Sequence, residues 1–156
     1  MHRLAALILG VAVLADCKEI PGWVEYFVRL PHLEQEAKFK EFSDADRLDV
    51  AIYAPQLTRP PDTTYQRLVI SLGKAIVPLA VARASCATDD AFKHLVSVLS
   101  LVNERRYRLK SEDELHKRVV ARLGAMKSEG QQYETGKIVD AIWPPDEGKR
   151  AATSTP

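Results

Sequence analysis

Apolar residues recur at helical spacing along most of this 156-residue chain. The pattern is clearest between Asp89 and Asn103, where large apolar side chains lie three, four and seven positions apart. That spacing places them on one face of an α-helix, which has to be buried against other elements. The residues of this face are Phe92, Leu95, Val96, Leu99 and Val102. Glycine is scarce and β-type runs between turn signals are absent, so we expect an all-α domain.

Capping residues predict where several helices begin. Ser43, Thr88 and Ser111 each precede acidic residues in the manner of a helix N-cap or capping box. The helix after Ser43 is expected to end near Tyr53, because Pro55 follows. A last helix is expected over about 132–143, before the Pro144-Pro145 pair.

The same spacing predicts which side chains of the other helices face the core. They are Leu33, Ala37, Phe39 and Phe42; Leu48, Ile52 and Tyr53; Tyr65, Leu68, Val69 and Leu72; Ile76, Val77, Leu79, Ala80 and Val81; Leu115, Val119, Val120, Leu123 and Met126; and Ile138, Ala141 and Ile142.

The apolar stretch YQRLVISLGKAIVPLAVARASC (65–86) is interrupted by a glycine, a lysine and a proline. Gly73 is suited to end a helix with a positive φ, and Pro78 then lies in the first turn of the next helix. Ser71 and Lys74 match the S-x-x-K pattern of serine penicillin-recognising enzymes. In those enzymes the serine opens a helix, whereas Ser71 closes one, and no S-D-N or K-T-G follows. The stretch therefore predicts a corner between two packed helices.

The N-terminus predicts export. One arginine precedes an apolar run from Leu4 to Ala15, which is too short to span a bilayer and suits a signal peptide. Cleavage after Ala15 would leave Asp16 first. A second interpretation is a lipobox that ends at Cys17, although Asp16 replaces the usual small residue before the cysteine. A third is a buried N-terminal helix of a cytosolic protein.

The chemical state of the two cysteines depends on the compartment in which the protein is located. In an oxidising compartment Cys17 and Cys86 can form one disulfide, which would stabilise the fold by roughly 4 kcal/mol on the chain-entropy model. If Cys17 is lipidated instead, Cys86 remains as a small buried hydrophobe. The chain thus divides into a signal peptide (1–15), a single all-helical domain (16–143) and a disordered polar tail (144–156).

No motif predicts a metal, a cofactor or a nucleotide. The aspartates after Ser43 lack the spacing of a calcium loop, and no glycine-rich phosphate loop is present. His32, His94 and His116 lie on separate predicted helices without metal-ligand spacing. The net charge of +1 gives no field that would draw the chain to nucleic acid. We therefore predict no catalytic residue, no metal, no cofactor and no nucleic-acid partner.

The order of several sequence landmarks is similar to that of a known group of proteins. LDVAIYA is followed by RPPD, by GKAIVPLAVAR, by an acidic pair with Lys93 and by a leucine-rich helix. Over about 48–143 this resembles uncharacterised bacterial exported proteins built from HEAT-like helical hairpins. The resemblance implies a short right-handed α-superhelix and no particular activity; a compact helical bundle is the alternative. The chain departs from the group in having Ala82, Ala84 and Ser85 where larger apolar residues are usual.

One concentrated charge feature follows the strongest helix. Arg105, Arg106, Tyr107, Arg108 and Lys110 lie within six residues, and Lys117, Arg118 and Arg122 are candidates to extend the group. Arginines beside a tyrosine can bind phosphates or an acidic partner. The alternative is a solvated turn near the negative end of a helix. Trp23 and Tyr133 are weaker candidates for partner contact.

These features lead to three hypotheses. The first is an exported, non-enzymatic helical-repeat protein that binds another protein, for instance as an immunity or inhibitor protein for a periplasmic toxin. The second is a small periplasmic hydrolase, which requires a nucleophile such as Ser71 or Ser97 beside His94. The third is a structural envelope lipoprotein, attached to the membrane only through Cys17. The oligomeric state is not predicted.

The mature chain tests the assignment of the N-terminus. Because export and disulfide formation belong together, we expect a soluble chain that begins at Asp16 and is lighter than its reduced form by the hydrogens of one thiol pair. Intact mass spectrometry of protein purified without reductant measures both properties. A membrane-bound chain that begins at an acylated Cys17 would favour the lipoprotein, and retention of Met1 would contradict export.

Overall fold

The computed structural model describes residues 19–110 and 113–145. Within these ranges it contains α-helices and one 3₁₀ segment and no strand, which confirms the all-α prediction. The helices are α1 (Gly22–Val28), α2 (His32–Glu41), α3 (Asp44–Leu57), α4 (Thr64–Leu68), α5 (Ile76–Ala84), α6 (Asp89–Arg105), α7 (Glu114–Gly124) and α8 (Glu129–Ile142), and the 3₁₀ segment at Val69–Ala75 joins α4 to α5. The predictions for residues 1–15, for Cys17 and for the tail beyond Pro145 lie outside the described residues.

Helix α6 lies between α3 and α8, while α5 packs against α7. The predicted apolar face of α6 is confirmed, because all five of its residues are 0% exposed. The predicted N-cap is also confirmed: the hydroxyl of Thr88 accepts a hydrogen bond from the backbone N–H of Ala91 at 3.3 Å. The core of the domain is therefore organised around this helix.

Helix α3 is longer than predicted. Ser43 caps it as expected and accepts from the N–H of Asp46 at 3.2 Å. The prediction that Pro55 ends this helix is wrong, since the helix continues to Leu57. Proline cannot donate to the carbonyl four residues earlier, which is that of Ala51. The buried side chain of Gln66 supplies a donor instead, with its Nε2 3.5 Å from the Ala51 oxygen.

Helix α2 presents a different face to the core than predicted. Phe39 is buried and Phe42 packs against the core, as expected. The expectation that Leu33 and Ala37 face inward is wrong: Leu33 is 80% exposed, and Ala37 is exposed as well. The face of α2 that packs against the core is determined by its aromatic rings and by a glutamine, and a prediction based on the spacing of apolar residues does not include glutamine.

That glutamine is Gln35, which joins the end of α1 to α2 and to α4. Its Nε2 donates to the carbonyl oxygens of Val28 at 3.1 Å and Leu30 at 2.8 Å. Its Oε1 accepts from the hydroxyl of Tyr65 at 2.6 Å. With both ends of the amide bonded, the rotation of α2 about its axis is determined by hydrogen bonding as well as by apolar contact.

The predicted glycine corner is confirmed. Gly73 has a φ of +52°, a region that other residues rarely adopt, and α5 begins three residues later at Ile76. The α-helix before the corner is shorter than predicted, because it passes into the 3₁₀ segment at Val69. Leu68 is the last residue of α4, and the prediction that it faces inward is wrong, since it is 47% exposed.

For the last two helices, the residues at which they begin and some of the residues that face the core differ from the prediction. Helix α7 begins at Glu114, and the capping residue predicted for it, Ser111, lies outside the described residues. Helix α8 begins at Glu129, three residues earlier than expected, and is capped by Ser128. Two residues predicted to face inward, Val120 and Ala141, are exposed.

The contrast between Leu99 and Leu33 gives a test of the core. Leu99→Ala removes a side chain that is 0% exposed in α6 and should lower the free energy of unfolding by about 2–5 kcal/mol. Leu33→Ala, at an 80% exposed position, is the matched control and should change it by less than about 0.5 kcal/mol. Urea unfolding followed by circular dichroism measures both; equal effects would contradict the described packing.

Candidate partner-binding surface

The basic turn (residues 105–110) links the end of α6 to the segment before α7. Its side chains alternate: Tyr107 is half-buried and Leu109 is only 5% exposed, whereas the cationic residues between and beside them are exposed. The exposed cations are Arg105, Arg106, Arg108 and Lys110. The two inward residues thus attach the basic turn to the core, while the positive charges lie on the surface.

Backbone hydrogen bonds hold the basic turn in place. The N–H groups of Arg106 and Tyr107 both donate to the carbonyl of Val102, each at 2.9 Å. The N–H of Leu109 donates to Oδ1 of Asn103 at 2.9 Å. These bonds satisfy donors that would otherwise be left without a partner after the helix ends. The positive charges are therefore presented on an ordered backbone.

Within the described residues, the cations of the basic turn form no ion pair. No described carboxylate lies within 4 Å of the four cationic side chains. The two arginines suggested as extensions are already engaged: Arg118 binds Glu114 at 2.8 Å, and Arg122 binds Asp89 at 2.5 Å. The cationic surface is thus narrower than the sequence suggested.

Arg122 takes part in an internal junction instead. Its Nε donates to the carbonyl of Ala87 at 2.9 Å, and its other nitrogen donates to Asp89 at the start of α6. Asp89 also accepts from the backbone N–H of Lys127 at 2.9 Å. The hydrogen bond from Arg122 is the main reason that the pKa of Asp89 is lowered. This junction holds the turn between α7 and α8 against the N-terminus of α6.

A second internal ion pair joins α3 to α5. Arg83 binds Asp49 through two parallel hydrogen bonds of 2.6 and 2.7 Å. Burial raises the pKa of Asp49, although the hydrogen bond and charge of Arg83 oppose that effect. The bidentate pair satisfies both charges within the fold, so it connects helices rather than offering a site to a ligand.

The serines and the histidine of the hydrolase hypothesis are not paired with one another. The Nδ1 of His94 lies 3.3 Å from Nε2 of the buried Gln66. Ser97 and Ser71 donate their hydroxyls to backbone carbonyls on their own helical segments, at 3.1 and 3.0 Å. A nucleophile next to a base is the arrangement that covalent hydrolysis requires. These three residues do not form it.

Lys74 lies beside the basic turn, although it is far from it in the sequence. Together with Tyr107 and Lys110 it lines a depression of about 320 Å³. In the sequence, Lys74 stood out only as part of the S-x-x-K pattern, and nothing there connects it with the basic turn. The packing of the 3₁₀ segment against α6 brings the two segments together.

The aromatic candidates lie on other helices. Trp23 of α1 is 37% exposed and packs edge-on against Phe42, with ring centroids 5.3 Å apart. Tyr133 of α8 is 66% exposed, and Nζ of Lys137 lies 4.1 Å from its ring centroid. Both rings thus have partners within the chain, and neither belongs to the basic turn.

Among the residues described, no three histidine, cysteine, aspartate or glutamate side chains are grouped so that they could hold a metal ion. In the same part of the chain, every helix is too short or too polar to cross a bilayer.

No family model, curated protein or solved structure matches this sequence or its fold.

The half-buried His94 predicts a pH dependence of stability. Burial, assisted by the charge of Lys93 and opposed by that of Asp90, lowers the pKa of His94 below 6.5. On acidification the unfolded chain therefore takes up a proton at this side chain before the folded chain does, and the free energy of unfolding falls below about pH 6.5.

The comparison of two glutamine variants isolates this effect. His94→Gln should lose less stability than the unsubstituted protein between pH 7.5 and pH 5, whereas His32→Gln, on the exposed side of α2, should follow the unsubstituted protein. Thermal unfolding at the two pH values provides the measurement. Identical pH dependence in all three proteins would contradict the described environment of His94.

Proposed function

We propose that this chain is an exported, non-enzymatic helical-repeat protein that binds another protein through the basic turn. The observation that carries the proposal is a set of four exposed cations, within six residues, without a described carboxylate partner. By contrast, the two partly buried arginines Arg83 and Arg122 are paired with aspartates. Charge left unpaired on an ordered segment is available to a partner.

The packing of the helices supports a superhelical arrangement for this module. Helices α3, α6 and α8 follow one another in contact, and α5 and α7 are in contact beside them. Consecutive helical hairpins that stack in this manner would form two layers, as in a short HEAT-like superhelix. Such stacking presents loops such as the basic turn on a rigid scaffold and needs no titrating group for its function.

The chemistry of the basic turn favours an acidic protein surface. Arginine forms paired hydrogen bonds with carboxylates, and Tyr107 between the arginines adds an amphipathic ring. The chain as a whole has a charge of only +1, which does not favour binding along a nucleic acid. Export, through a cleaved signal peptide or a lipid at Cys17, would place the partner in the periplasm or outside the cell.

Charge reversal tests this proposal. The combined change Arg105→Glu, Arg106→Glu and Arg108→Glu should lower the yield of a specific partner at least about tenfold, because opposite charges become like charges at the contact. The yield is measured by affinity capture from extracts of the host envelope with quantitative mass spectrometry. Circular dichroism should show an unchanged fold, since all three side chains are exposed.

A matched control separates the surface from net charge. The combined change Arg29→Glu, Lys40→Glu and Lys127→Glu alters the total charge equally at exposed positions elsewhere. This variant should capture the partner as the unsubstituted protein does. Equal capture by both triple variants would overturn the proposal, because the basic turn would then be no more important than any other charged surface.

A further inference from the structure

The depression beside the basic turn combines an apolar floor with a cationic rim. Val77 and Pro78 reach it from α5, Leu115 from α7 and Tyr107 from the basic turn. Leu115 is buried, whereas Val77 and Tyr107 are half-buried. A volume of about 320 Å³ is at the lower end of the range for ligand clefts, so the depression suits one or two side chains rather than a large molecule.

Two lysines lie on the rim of the depression. Lys74 and Lys110 are exposed, and no described carboxylate lies within 4 Å of either. The wall also contains two carboxylates. Glu114 binds Arg118 at 2.8 Å. Asp113 is the N-cap residue of α7; its side chain makes no cap hydrogen bond, and its negative charge lies where the helix dipole stabilises it.

The glycine corner lies next to the depression and contacts the basic turn. The corner at Gly73 directs Lys74 and α5, and a side chain added at Gly73 would lie 3.4 Å from Cγ of Arg106. The stem of Arg106 therefore packs closely against the corner. A preformed cavity of this kind costs a partner less free energy to occupy than one that has to be ordered on binding.

We infer that the depression is the anchor point for an acidic segment of the partner that carries one apolar side chain. The apolar side chain enters between Val77 and Leu115, and the carboxylates that flank it meet Lys74 and Lys110. This inference rests on the proposed function and adds to it the chemical class of the bound segment. A central apolar anchor surrounded by charged contacts is the usual arrangement of a strong protein contact.

Three synthetic seven-residue peptides test the inference with the mature, full-length protein. The first is acidic with a central phenylalanine, the second is acidic with a central alanine, and the third is basic with a central phenylalanine. Nuclear magnetic resonance titration of the isotopically labelled protein measures affinity and location together. We expect the first peptide to shift the signals of Lys74, Val77 and Leu115, and to bind at least about tenfold more tightly than the second. The third should not bind.

Two single variants locate the contact. Lys74→Glu should weaken binding of the first peptide about tenfold or more, because it places a negative charge at the rim. Lys40→Glu changes the net charge equally on exposed α2 and should leave the affinity within about twofold.

The outcomes separate this inference from the proposal on which it rests. One outcome is that both acidic peptides bind equally, and that binding is lost when the three arginines are reversed but not in Lys74→Glu. This outcome would overturn the inference that the depression is an anchor point, and would retain the basic turn as the binding surface. Absence of binding by either acidic peptide would overturn the anchor, while the capture experiment with the two triple variants would still decide the proposed function.

Discussion

The burial of α6 between α3 and α8 is the contact on which the rest of the structure depends. Its apolar face is fully removed from water, so the direction of the helix is determined along its whole length. The two ends of α6 then position polar features. Asp89 at its start accepts hydrogen bonds from Arg122 and from the backbone of the turn before α8, and the basic turn follows its end.

Charged groups fall into two sets with different environments. Asp49 with Arg83 and Asp89 with Arg122 are partly or largely removed from water and bonded within the chain, where an unpaired charge would be costly. The cations of the basic turn are exposed to solvent, where the lack of an ion pair with any described carboxylate costs little free energy. This difference is why the internal pairs act as connections between helices and the basic turn is the better candidate for a partner.

Two errors of sequence interpretation have a common physical cause. Helical spacing counts apolar residues, yet α2 is oriented by the amide of Gln35, which exposes Leu33. Pro55 remains within α3 because Gln66, distant in the sequence, approaches the carbonyl that proline leaves without a donor. In both cases a polar contact overrides what local sequence preferences predict.

The sequence by itself determined the all-α class, the caps at Ser43 and Thr88, the corner at Gly73 and the buried face of α6. These features depend on local backbone preferences and on the period of one helix, and both are determined by residues that are close together in the sequence. Only the tertiary structure decided that Lys74 lies beside the basic turn and that Arg122 belongs to Asp89. Such pairings depend on which helices pack together, and that is determined by the burial of the whole set of apolar faces rather than by any one segment.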